Sequence, residues 1–212
     1  MLRLSAFLLL TLLMIGHATA APNRAGVFDY YVLSLSWSPS WCAIEGDARG
    51  AGQCAEGRGF GFTLHGLWPQ YEKGWPSFCR TTEAPPSRAM TAAMADIMGS
   101  SGLAWHQWNK HGRCSGLSAA EYYALSRRAY ERIERPQVFR RLLKQVQLRA
   151  TVVEEAFLSA NPWLAPEMVT VTCKRRHFQE VRICLTRDLE PRQCGQDVAR
   201  DCTRTVSFPP LR

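Results

Sequence analysis

Two short segments hold residues whose types and spacing could cleave a phosphodiester. They are Phe62-Thr63-Leu64-His65-Gly66-Leu67-Trp68-Pro69 and Trp105-His106-Gln107-Trp108-Asn109-Lys110-His111-Gly112-Arg113-Cys114. Together they carry three of the five histidines, a lysine and three tryptophans. RNA brings its own nucleophile, the 2′-hydroxyl, to each phosphodiester. Cleavage then needs a base for the hydroxyl proton, an acid for the departing 5′-oxygen, and positive charge for a phosphorane-like transition state; no metal is required. Histidine suits both proton roles because its unperturbed pKa lies near working pH, and each role is worth roughly 10² to 10⁴ in rate. His65 and His111 come from different segments and could approach a phosphate from opposite sides.

If 105–111 is helical, His106 and Lys110 share one stripe and Gln107 and His111 the next, so all four can line one rim. Lys110 would stabilise developing negative charge and His106 could donate to a non-bridging oxygen. Trp68 offers a ring on which a base could stack. Plainer readings compete. A single histidine such as His65 is more often structural, and Trp108 reads as core. A zinc site would want histidines at i, i+4 with an intervening glutamate; His106 and His111 are at i, i+5 without one, so no metal is expected. His177 reads as a surface residue in a turn.

The elements that must place these side chains follow from periodicity. Tyr31, Leu33, Leu35 and Trp37 alternate with serines, the pattern of a half-buried strand. Phe60 to His65 reads as a second strand with His65 at its end, just before Gly66. Met90, Met94, Ile97 and Met98 predict a helix ended by Gly99. Ser118 to Glu121 is a capping box opening a helix to about Arg132. Pro136 is expected to start another, carrying Phe139, Leu142, Leu143 and Val146, and Thr151 to Glu154 to cap a short one ending near Asn161. The arginines between Arg127 and Arg149 read as a solvated face. Met168 to Lys174 and Glu180 to Thr186 form a hairpin. Helices and strands are segregated, so the expected fold is α+β, an antiparallel β-sheet with helices packed on it.

Residues 1–20 read as a targeting segment: Arg3, an apolar stretch from Leu8 to Ile15, then Ala18-Thr19-Ala20. The apolar run is too short to span a bilayer. Residues 21–212 are then one exported domain without a membrane anchor, in a periplasm or outside the cell. The lack of an Asn-x-Ser/Thr sequon favours the former. The eight cysteines (Cys42, Cys54, Cys79, Cys114, Cys173, Cys184, Cys194, Cys202) are even in number and lack close Cys-x-x-Cys pairs, which argues for four disulfides over a metal site. A net charge of +8 suits a polyanionic partner, although many exported proteins are basic for solubility alone.

His65-Gly-Leu-Trp-Pro69, and His106 to Cys114 read as His-x-Trp-x-Lys-His-Gly-x-Cys, resemble the two signature segments of the ribonuclease T2 family. Asp29 to Leu33 with Trp37 and Cys42 resembles that family's opening strand, and Gln179 to Cys184 its late hairpin. The resemblance implies a metal-independent endoribonuclease acting on single-stranded RNA; a monomer without cofactors is expected. Cleavage would proceed through a 2′,3′-cyclic phosphate to a 3′-phosphate. It carries acid and base roles onto His65 and His111, phosphate contacts onto His106 and Lys110, and base binding onto Trp68. Where the family often has an acidic residue near that base site, this chain has Gln70. The same resemblance pairs Cys79 with Cys114, Cys173 with Cys202 and Cys184 with Cys194, which leaves Cys42 with Cys54. Gln107 departs from the family's glutamate. An amide keeps the reach of that side chain but carries neither a proton nor a charge, so an active enzyme with lowered turnover or a shifted pH profile is expected. The rival is a catalytically impaired ribonuclease scaffold that only binds RNA.

Overall fold

The computed structural model describes residues 23–212; the targeting segment expected at 1–20 lies outside them. The strands are β1 (Tyr30–Trp37), β2 (Phe62–Gln70), β3 (Val146–Arg149), β4 (Val169–Lys174), β5 (His177–Leu185) and β6 (Thr205–Phe208). They form one sheet in the order β2-β1-β5-β6-β3, with β4 also paired to β5. The helices α1 (Ser38–Trp41), α2 (Arg88–Ala93), α3 (Ala95–Met98), α4 (Ser101–Lys110), α5 (Ala119–Arg132) and α6 (Ala150–Ala160) complete an α+β fold. Pairing is antiparallel except where β5 meets β6 in parallel through His177↔Ser207, so the sheet is mixed there.

The expected half-buried strand is buried on both faces. Tyr31, Leu33, Leu35 and Trp37 enter the main core, while Tyr30 and Val32 pack on a second cluster with Cys184, Cys194 and Val198. Alternating serines do not exclude this, because Ser34 is small enough to be fully buried. The second strand begins later and ends later than its pattern suggests, so His65 is inside β2 and not at its end. The register explains its availability: Ser34 pairs with Gly66 and Leu35 with Leu64, which leaves His65 as the extra residue of a bulge. Such bulges re-aim a side chain.

Other expectations change for local reasons. The methionine-rich helix is interrupted at Met94, where Met94 N–H bonds Thr91 O, before Gly99 ends α3 at φ 86°. After Pro136 there is only a 3-10 turn, Gln137–Arg141, and then β3. Phe139 enters the core and Leu142 and Val146 pack against it, but Leu143 stays 97% exposed, so the expected helical face does not form as one buried stripe. α6 begins at Ala150 without a side-chain cap. His177 is the half-buried first residue of β5.

Helix α5 fixes the site. Its Ser118–Glu121 capping box is formed, and its tyrosine hydroxyls bond main-chain carbonyls of both site-bearing elements. Tyr122 donates to Leu67 O and Tyr130 to Phe62 O, each at 2.9 Å, bracketing His65 on β2; Tyr123 donates to Ala104 O in α4 at 2.9 Å. Beneath them Trp37, Phe62, Phe139, Phe157, Phe178 and Phe208 form a continuous aromatic cluster. Disulfides join Cys42 to Cys54, Cys79 to Cys114, Cys173 to Cys202, and Cys184 to Cys194.

Candidate active site

The bulge at His65 and the C-terminal end of α4 face a common cleft of about 320 Å³. It is lined by His65, Trp68, Gln70, His106, Gln107, Lys110 and His111, so the two segments meet in space. A neighbouring hollow of about 510 Å³ shares His65 and His106 as its wall, and these two histidines stand on the ridge between the hollows. α4 starts where Ser100 Oγ accepts from Leu103 N–H, and runs to Lys110, with His111 N–H closing on Gln107 O at 2.9 Å. The Cys79–Cys114 disulfide and the Phe78 N–H bond to Lys110 O fasten this end to the loop that follows β2.

Trp68 lies at the centre. Its ring is stacked with His111 (centroids 5.3 Å, 26° between planes) and edge-on to His65 at 5.1 Å. The Arg182 guanidinium also lies over it at 5.3 Å, so less of the ring is free for a base than its position in the sequence suggests. Trp68 Nε1–H donates to Gln107 Oε1 at 2.7 Å. Because an indole N–H only donates, that bond fixes the amide orientation. The Gln107 Nε2 donors have no partner among the described residues and line the cleft. Gly66 makes this possible: a Cβ there would sit 2.3 Å from both Gln107 Oε1 and Trp68 Nε1. Gln70 is buried at the cleft wall and Trp108 is core.

Four residues of the site carry no signal in the two segments. Glu180 on β5 is 1% exposed, and its Oε1 is 2.5 Å from His65 Nδ1. Its Oε2 accepts from Arg182 Nε and a terminal nitrogen at 3.0 and 2.9 Å. Burial pushes this carboxyl up, but the charges and hydrogen bonds of His65 and Arg182 outweigh it and hold the group down to about 2. Glu180 is therefore a buried anion, which persists only when paired. Trp75 lines the cleft at its outer edge, and Asp197 holds the same loop by accepting from Gly74 N–H.

The helix side is electrostatically opposite. His111 is 6% exposed, and its Nδ1 is buried without a partner among the described residues. Burial, then the positive charges of Lys110, His65 and His106, push it down to about 3. His106 is more exposed and is lowered by burial and the same neighbours. No carboxylate of α4 offsets them, because position 107 is an amide.

The family model described as the Ribonuclease T2 family matches residues 28–194, which include both segments and Glu180. A ribonuclease of Aeromonas hydrophila is 44% identical over 119 residues, 56% of this chain and 53% of that protein. A probable ribonuclease of Haemophilus influenzae is 32% identical over 126 residues, 54% of this chain and 46% of that protein. These matches span about half the length of each relative. Among solved structures, an RNase-related protein from Calystegia sepium superposes with a TM-score of 0.66 at 23% identity, covering 86% of this chain and 97% of that one, a likeness of fold. The chain belongs to the ribonuclease T2 family.

Proposed function

We propose that this protein is an exported, metal-independent endoribonuclease that cleaves single-stranded RNA by attack of the 2′-hydroxyl. The observation that carries the reading is the pair of unlike imidazoles on either side of Trp68: His65 backed by the buried Glu180 carboxylate, and His111 kept neutral by burial among cations.

Glu180 occupies His65 Nδ1 and fixes the ring, which leaves Nε2 for the cleft. Across Trp68 from His111, with its ring held by Glu180, His65 is placed to serve as the acid. His111 is neutral and fits the base; a phosphodiester anion bound beside Lys110 and His106 would draw its proton affinity back up. His111 takes the 2′-hydroxyl proton as the 2′-oxygen bonds phosphorus, and the bond from phosphorus to the 5′-oxygen breaks. That oxygen takes its proton from His65, giving a 2′,3′-cyclic phosphate. In the second step water replaces the 5′-hydroxyl and the histidines exchange roles, giving a 3′-phosphate. Lys110 and His106 stabilise the charge on the non-bridging oxygens, and the amide N–H groups of Gln107 donate to one of them. Trp68, Gln70 and Trp75 line the part of the cleft open to a base.

The test is cleavage of a dinucleotide in EDTA with the products identified. Cyclic phosphate formed first, and lost in His65→Ala or His111→Ala, is the expected result. Oligonucleotide binding without cleavage would replace this reading with that of an inactive RNA-binding scaffold.

A further inference from the structure

The molecule carries a third cleft, of about 680 Å³, between the tip of the β4–β5 hairpin and the β3–β6 pair. Arg175, Arg176, His177, Arg204, Gln147 and Ser207 line it, and no acidic residue does. Several other arginines are held in ion pairs: Arg127 with Asp96, Arg132 with Glu190, Arg192 with Glu72 and Arg212 with Asp47. Arg176 and Arg204 are exposed and have no side-chain partner among the described residues. Two polar atoms beside them are also unanswered. Ser207 is 5% exposed, yet its Oγ has no hydrogen-bond partner among the described residues, and neither has His177 Nδ1. A concave site with unpaired guanidinium groups and buried spare donors is complementary to an anion with several acceptor oxygens.

The cleft is fixed and adjoins the candidate active site. The Cys173–Cys202 disulfide and the Ser207 N–H bond to Arg176 O tie its two walls together. Lys174↔His177 pairing leaves a two-residue loop, in which Arg175 takes φ 55°, a place where glycine is favoured. Arg175 donates to Ile44 O, and Ile44 and Lys174 both line the hollow that shares His65 and His106. Along β5, His177 and Glu180 are separated by about 10 Å, within reach of the next nucleotides of a bound strand.

We propose that this basic cleft holds backbone phosphates of the same RNA strand whose scissile phosphate lies between His65 and His111. It is a sequence-independent extension of the substrate path beyond the hollow next to His106. The proposal rests on the ribonuclease reading for its substrate, but its test does not need cleavage. The probes are a 2′-O-methyl dinucleotide and a 2′-O-methyl dodecamer, which lack the attacking hydroxyl. The variants are Arg176→Gln/Arg204→Gln and, for equal charge loss elsewhere, Arg128→Gln/Arg141→Gln.

Two phosphate contacts on a single strand contribute a slope of roughly 1.4 in log affinity against log salt, and on the order of tenfold in affinity at ~0.15 M salt. The first variant should lose both for the dodecamer and neither for the dinucleotide, while the control double variant keeps dodecamer affinity close to that of the parent. Equal losses in the two variants, or no loss in the first, would overturn the proposal. So would unchanged dodecamer binding together with lost binding to anionic phospholipid vesicles, which would assign the cleft to a membrane surface. If the dodecamer result holds but the parent protein cleaves no RNA, the cleft stands as an RNA site and the ribonuclease reading falls.

Discussion

The two walls of the candidate active site bring a histidine to the same cleft under opposite electrostatic conditions. On the sheet wall, β2 offers His65 from a bulge and β5 places a fully buried carboxylate behind it, itself gripped by Arg182. On the helix wall, α4 gathers His106, Lys110 and His111 with an amide where a carboxylate could have stood. One wall sets a carboxylate against its imidazole, and the other buries its imidazole among cations. Two identical side chains thus meet different surroundings, which suits them to the separate proton roles proposed above. The division also explains how the site accommodates Gln107. The anion that orients a histidine belongs to β5, so position 107 is free to bond Trp68 and offer its amide hydrogens to the cleft.

Removing either histidine breaks the comparison outright. His65→Ala and His111→Ala should each lower kcat on a dinucleotide by roughly 10² to 10⁴, measured by product formation at saturating substrate. Glu180→Gln leaves the ring in place but removes the charge behind it. A fall of about 10- to 100-fold in kcat is expected, as for groups that orient a metal-bound histidine. Because the amide still reaches His65 Nδ1, KM and Tm should change little while kcat falls; parallel losses in kcat and Tm would show that Glu180 is only structural.

Stability carries the same contrast. His111 and Glu180 both have protonation depressed in the folded state, to about 3 and about 2. Each therefore contributes stability above its unfolded pKa that is lost as pH falls: for His111 from about 6.5 towards 3, for Glu180 from about 4.5 towards 2. Thermal unfolding should show Tm declining below about pH 6.5, and His111→Phe should remove the upper part of that decline only.

Smaller effects are expected at the contact between the walls. Gly66→Ala drives a methyl group into the Trp68–Gln107 hydrogen bond, and about a tenfold loss in kcat/KM with a modest drop in Tm should follow. Gln107→Glu keeps the acceptor for Trp68 but puts a negative charge on the cationic wall. The acidic limb of the profile should move to higher pH, with a change in rate of only a few-fold.

How much of this the sequence discloses depends on the range of the interaction. Side chains at helical spacing on α4 and the capping box of α5 are local patterns and can be read directly. So can the α+β division and the late hairpin. Pro136 misleads because Phe139, Leu142 and Val146 reach the core from a 3-10 turn and the strand after it, while Leu143 is left in solvent. The bulge at His65 is set by register against β1, and the burial of Glu180 by β1 and Ser36 lying across it. Neither is a property of its own segment. Glu180 and Arg182 do alternate with Val181 and Ile183, a pattern in which a charged pair faces away from the core, but only the neighbouring strand makes that face the floor of a cleft.

The central claim is that His65 is the acid and His111 the base. It is tested most directly by comparing a dinucleotide with a nucleoside 3′-(4-nitrophenyl phosphate), whose leaving group departs without a proton. The account predicts that His65→Ala loses its rate on the dinucleotide but keeps most of it on the aryl ester, while His111→Ala loses it on both. The reverse pattern, or equal losses for both variants on both substrates, would contradict the assignment and with it the role of the buried Glu180 as the anion that orients His65.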